Sequence, residues 1–169
     1  MDMKIHNIKC SYYFSDNLIP KQKTNTKVID KVDGRVTTTI YKHTPNLVNC
    51  TGLKHREQIY GMKHILEKKY GAKCTHCRID NTFIQQKWGI RLNLVKVYEV
   101  ALTHYKHIYT VSYQPELFSG LCMKAIKKSY PTLNIFSTGT VQFLGGKTFQ
   151  CIQESEEIVK NIISECKIQ

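Results

Sequence analysis

Acidic residues are scarce in this chain. Of 169 residues, 13 are Asp or Glu against 25 Lys or Arg, giving a formal net charge of +12. A surplus that large on a small domain favours an anionic partner, and nucleic acid is the commonest one. No apolar run approaches the ~20 residues that span a bilayer, so no membrane partner is expected. The first ten residues, MDMKIHNIKC, lack the apolar stretch of a secretory signal. Paired carboxylates, a Ser-His-Asp arrangement and a phosphate-binding glycine loop are also missing, which argues against an enzyme and against a bound cofactor. What the chain does have is enough apolar residues, 41%, for a globular core.

Seven cysteines are an odd number without the spacing of a disulfide scaffold, so a reduced intracellular compartment is expected. The sequon Asn49-Cys50-Thr51 is then a chance match. Cys74-Thr75-His76-Cys77 has CxxC spacing, but no second ligand pair follows at zinc-finger distance. It lies between a helix and a strand rather than opening a helix, as a redox motif would. His104 and His107 lack a third partner. The expectation is reduced cysteines and no metal.

The most informative feature is an internal repeat. Asn46–Lys54 aligns with Gly139–Lys147: a turn residue, an alternating strand, then Gly-x-Lys. An amphipathic helix follows each. The first carries Ile59, Met62, Ile65, Leu66 and Tyr70 at helical spacing and stops at Gly71. The second carries Ile152, Ser155, Ile158, Val159, Ile162, Ile163 and Cys166. Upstream, Ile5-His6-Asn7 matches Ile79-Asp80-Asn81. Asn7 and Lys54 are 47 positions apart, Asn81 and Lys147 are 66 apart, so the second half is longer in its middle. There Asn93–Tyr105 reads as a helix, with Leu94, Val97, Ala101, Leu102 and Tyr105 near one face. Ser15–Lys23, in the first half, is too short for a comparable one. Thr26–Thr44 is β-branched and turns at Asp33-Gly34. The fold class is α+β, with residues 1–73 and 74–169 as two repeats. Their strands are expected to form an antiparallel sheet with helices on one face and the other face open.

These residues resemble the conserved core of the TATA-binding protein family. Tyr113-Gln114-Pro115-Glu116-Leu117-Phe118-Ser119-Gly120-Leu121 is similar to a family stretch containing P-E-L-F-P-G-L. Asn134-Ile135-Phe136-Ser137-Thr138-Gly139 resembles I-F-x-S-G, and Asn49–Lys54 resembles V-C-T-G-A-K. Ile79-Asp80-Asn81 resembles I-Q-N, and Ile90-Arg91-Leu92 the I-R-L that opens a short helix. The resemblance implies a saddle of two pseudo-symmetric repeats whose concave sheet sits on the minor groove of double-stranded, AT-rich promoter DNA and bends it. A transcription factor IIB-like protein and the RNA polymerase initiation machinery are the implied partners. It further implies a nuclear protein or, for a large DNA virus, one of a cytoplasmic viral factory or virion. A divergent eukaryote is the other source considered.

Carried over by residue, Asn7 and Asn81 match the two groove-centre asparagines, and Phe118 with Phe136 the second pair of aromatic wedges. The first-half wedge falls on Tyr41 or His43, and its mate near Thr24 is not aromatic. The groove floor is more polar than in the family. Lys9 and Phe83 follow the asparagines, Asn49 and Gln142 replace hairpin valines, and Thr51 with Leu144 replace paired threonines. That change implies relaxed or altered preference for TATA. Lys27, Lys31 and Arg35, Lys124 and Lys127, and Lys54 and Lys147 are the phosphate candidates. Gln114, Glu116 and Leu117 match the loop that meets transcription factor IIB. The alternative is an interaction protein of the same fold that no longer binds DNA productively and competes for initiation factors.

Overall fold

A computed structural model describes residues 2–19 and 27–168. The fold is α+β, with nine strands and three helices among those residues. The chain divides into two compact units, His6–Asn81 and Met1–Ile5 with Thr82–Gln169.

The first unit is built from β1 (Asp2–Phe14) from His6 onward, β2 (Lys27–Val32), β3 (Val36–Tyr41), β4 (Leu47–Leu53) and α1 (Glu57–Tyr70). The start of β5 (Cys74–Lys87) completes it. The strand order is β2-β3-β4-β1-β5, with antiparallel registers such as Thr39↔Asn49 and Asn49↔Ser11. β1 bulges between Ile8 and Cys10. Alternation then sorts side chains by face. Cys10, Tyr12, Val48, Cys50 and Ile40 are buried toward α1, whose Ile59 carbonyl accepts the Tyr12 hydroxyl at 2.6 Å. Ile59, Met62 and Leu66 of α1 are buried, but Ile65 is exposed. The expected apolar stripe was therefore one residue too wide. Gly71 ends the helix in the left-handed region as expected, φ +63°.

Gly52, at φ +98°, is required twice over. A Cβ there would also stand 2.9 Å from the Arg35 carbonyl, so the Gly-x-Lys turn brings β4 backbone against the β2–β3 turn.

The second unit holds the rest of β5, α2 (Leu94–His104), β6 (Tyr109–Ser112), β7 (Leu121–Ala125), β8 (Thr132–Ile135), β9 (Thr140–Leu144) and α3 (Phe149–Cys166). Its strands run β5-β9-β8-β7-β6. All seven expected positions of α3 are buried. Val159, Ile162 and Ile163 pack with Val97 and Ala101 of α2 and with Ile84, Leu133, Val141 and Phe143 of the strands. Each such side chain contributes about 1.5–3 kcal/mol on leaving water. Ser155 fits this stripe because Tyr109 shares its hydroxyl at 2.8 Å and it donates to the Cys151 carbonyl at 2.7 Å. α2 fills the stretch read as a helix, Asn93–Tyr105: Asn93 caps it, accepting from the Val95 and Lys96 nitrogens at 3.1 and 3.2 Å, and Tyr105 ends it. Leu102, expected on the buried face, is exposed. Among the described residues no helix is long and apolar enough to cross a membrane.

Candidate nucleic-acid interface

In each unit the sheet face turned away from the helices is largely polar, interrupted by Ile29 in the first and by Phe83 and Leu144 in the second. Cross-strand registers align its side chains in rows, since directly opposed residues share a face. In the first unit Ser11, Asn49, Thr39 and Ile29 form one row, and Thr51, Thr37 and Lys31 the next. In the second, Gln85, Gln142, Asn134, Cys122 and Ser112 form a row beside Phe83, Leu144 and Thr132. The family resemblance pointed to Asn49, Thr51, Phe83, Gln142 and Leu144. Ser11, Thr39, Gln85 and Asn134 join these rows only through cross-strand register, which no single segment displays.

The two asparagines differ. Asn7 is half-buried and its Oδ1 accepts the Gly52 N–H at 2.8 Å, so this side chain also anchors the end of β4. Asn81 is exposed on β5. Lys9 stands half-buried at the bulge.

The aromatic candidates fall into two clusters. Phe118 and Phe136 meet edge to face with ring centres 5.6 Å apart, and Phe118 is 41% exposed. Gly120 lies under both rings, where a Cβ would come within 2.8 Å of Phe118 and 2.9 Å of Phe136. Only a hydrogen at that position leaves room for the pair. In the first unit Tyr41 ends β3 and His43 sits in the turn after it, with ring centres 5.5 Å apart. The structure thus brings both alternatives to one place. Thr24 and residues 20–23 lie outside the described residues.

The basic candidates separate by position. Lys27 and Lys31 on β2 oppose Tyr41 and Thr37, and Lys124 on β7 opposes Thr110; all three lysines are exposed. Arg35 and Lys127 lie in the turns following β2 and β7, where chain reversal leaves no ladder partner. Lys54 is exposed after β4, and one N–H of its ammonium donates to the His6 carbonyl, which leaves two for another acceptor. Lys147 is exposed ahead of α3, its backbone N–H bound to Ser129 at 3.1 Å. Gln114, Glu116 and Leu117 form an exposed loop. The Gln114 carbonyl accepts the Leu117 and Phe118 N–H groups at 2.9 and 3.0 Å, leaving Leu117 82% exposed.

A further group on the first unit's open face has no counterpart among the expected residues. Tyr13 and His76 rings stack with centres 4.1 Å apart. Arg78 lies 5.8 Å from the Tyr13 ring centre and its Nε donates to Asp80 Oδ1 at 2.9 Å. Ser11 donates to the other Asp80 oxygen and lies 3.2 Å from Asn49 Oδ1. The CxxC lies inside β5 itself, not before it. Cys74 is buried, and its thiol reaches the His76 carbonyl at 3.4 Å. On the helix side, burial pushes the Cys10 thiol up to about 12, with Cys77 and Asp80 adding to it. Burial, with Cys10, pushes Cys50 up to about 12 as well. No three His, Cys, Asp or Glu among the described residues are grouped to hold a metal.

Two strand-and-helix units, each with a largely polar open face, define a duplicated sheet protein. The chain belongs to the TATA-binding protein family: residues 76–166 match the family model described as "Transcription factor TFIID (or TATA-binding protein, TBP)". It is similar to the TATA-box-binding protein of Methanopyrus kandleri, 32% identical over 120 residues, which is 67% of this chain and 62% of that protein. Its fold is that of Methanococcus jannaschii TBP, with a TM-score of 0.66 at 22% identity over 98% of this chain and 99% of that one.

Proposed function

We propose that this chain is a transcription initiation factor that binds double-stranded DNA through the minor groove, bends it, and docks an initiation factor on its second-unit loop. The observation that supports this reading is the open face. Both units turn a row of hydrogen-bonding side chains away from their helices, with exposed lysines on the same strands. In a minor groove, A·T pairs offer acceptors, which Asn49, Gln142 and Asn134 meet with amide donors. In this reading Phe118 and Phe136, an edge-to-face pair with Phe118 exposed, enter a base step, and easily deformed TA steps lower the cost of that insertion. The loop of Gln114, Glu116 and Leu117 offers an exposed leucine beside an acid to a transcription factor IIB-like partner.

The test is anisotropy titration of labelled AT-rich and scrambled duplexes at several salt concentrations. Binding is expected to weaken steeply with salt. Lys31→Glu together with Lys124→Glu should weaken all sequences alike and lower the salt slope by about 2. Absence of duplex binding at low salt, with capture of an initiation factor retained, would replace this reading with that of an interaction protein.

A further inference from the structure

The acid on the first unit's open face sets that unit apart. Asp80 is held from two sides, by Ser11 and by Arg78. Arg78 is itself steadied against the Tyr13–His76 stack. The Asp80 side chain keeps 18% of its surface accessible and continues the row through Ser11 to Asn49. A carboxylate only accepts hydrogen bonds. Over A·T pairs it would face adenine N3 and thymine O2, which also only accept. The one donor a minor groove displays is the 2-amino group of guanine.

Resting on the minor-groove reading above, we infer that Asp80 makes the first unit select a G·C pair, by accepting a hydrogen bond from the guanine 2-amino group. Arg78 is the counter-ion that lets a carboxylate approach the groove, and Ser11 fixes its rotamer. The second unit has no such acid in its row. Gln85, Gln142 and Asn134 are amides, which donate and accept alike and so do not separate the pairs by sign. The binding site is therefore asymmetric: A·T-tolerant under the second unit, with a preferred G·C pair under the first.

The experiment compares guanine with inosine, which lacks only the 2-amino group. A series of duplexes carries a single G·C or I·C pair at each position of an AT-rich site, and the full chain is titrated against each. The native protein should favour G·C over I·C about 5- to 10-fold at one or two adjacent positions. Asp80→Asn should reduce that ratio and Asp80→Ala should bring it to one, even though removing the acid tightens binding overall. The ratio reports the contact, because a merely structural role for Asp80 would change affinity without changing it. Equal binding of G·C and I·C at every position by the native protein would overturn the inference alone. A preference that persists in both variants would overturn it too. No binding to any duplex would overturn this inference together with the proposed function.

Discussion

Cys10 and Cys50 oppose each other across β1 and β4, and neither is accessible to solvent. Burial holds both thiols protonated to about 12, against an ordinary value of 9.0. An unfolded chain would release these protons near pH 9 while the folded one retains them. Folding free energy therefore falls as pH rises from about 9 towards 12, and burial of the Tyr12 hydroxyl acts in the same sense. Thermal melts followed by circular dichroism should show a falling midpoint across that window. A Cys10→Ala, Cys50→Ala protein should lose less of its stability there. Near pH 8 the thiolate population of the two buried residues should be about a thousandfold below that of an ordinary thiol. Iodoacetamide should then modify the half-buried Cys77, Cys122 and Cys151 first, as read by peptide mass mapping. Early modification of Cys10 or Cys50 in the folded protein would contradict this account.

Helices were the most legible elements. The stripe of α3 was fully visible in the sequence because it packs against both a sheet and α2, so its whole apolar arc is covered. α1 and α2 were read one residue too wide, at Ile65 and Leu102, because periodicity places edge positions on the arc whether or not anything covers them. Strands were legible as segments but not as faces. Nothing local announces the bulge between Ile8 and Cys10, yet it decides that Ser11 and Asn49 stand in one row. The Tyr13, His76, Arg78 and Asp80 group escaped notice for the same reason. Its members are separated in the sequence and meet only where β1 and β5 lie side by side. The neighbouring residues of α1 give a direct check on the faces. Leu66→Ala removes a fully buried side chain and should cost about 2–5 kcal/mol in urea unfolding. Ile65→Ala, one position away and exposed, should change stability by less than about 0.5 kcal/mol. Comparable losses at both positions would mean that a partner covers the outer edge of α1.

Across the whole molecule, the two units are built from one repeat but equipped differently. The segment that matches the family, residues 76–166, runs from within β5 to the end of α3. It carries the Phe118–Phe136 pair, the glycine that makes room for it and the exposed loop that positions Phe118. The first unit answers with Tyr41 and His43, whose rings lie 5.5 Å apart at the end of β3 but carry a phenol hydroxyl and two ring nitrogens in place of bare apolar surface. Opening a step takes a few kcal/mol of unstacking, recovered only if the bend brings further surface into contact. An edge-to-face phenylalanine pair supplies apolar area at the step; a Tyr–His pair supplies less and must also desolvate polar atoms. DNA should accordingly be kinked mainly under the second unit. Energy transfer between dyes at the duplex ends is expected to report a bend that largely disappears in Phe118→Ala, Phe136→Ala. Tyr41→Ala and His43→Ala should reduce the bend far less, separately or together. Moving a flexible TA step along the duplex should restore bending best where it meets the second unit, because that is where the deformation falls. Two equal kinks, or a bend indifferent to loss of both phenylalanines, would show that groove width or phosphate neutralisation bends the DNA instead of the wedges.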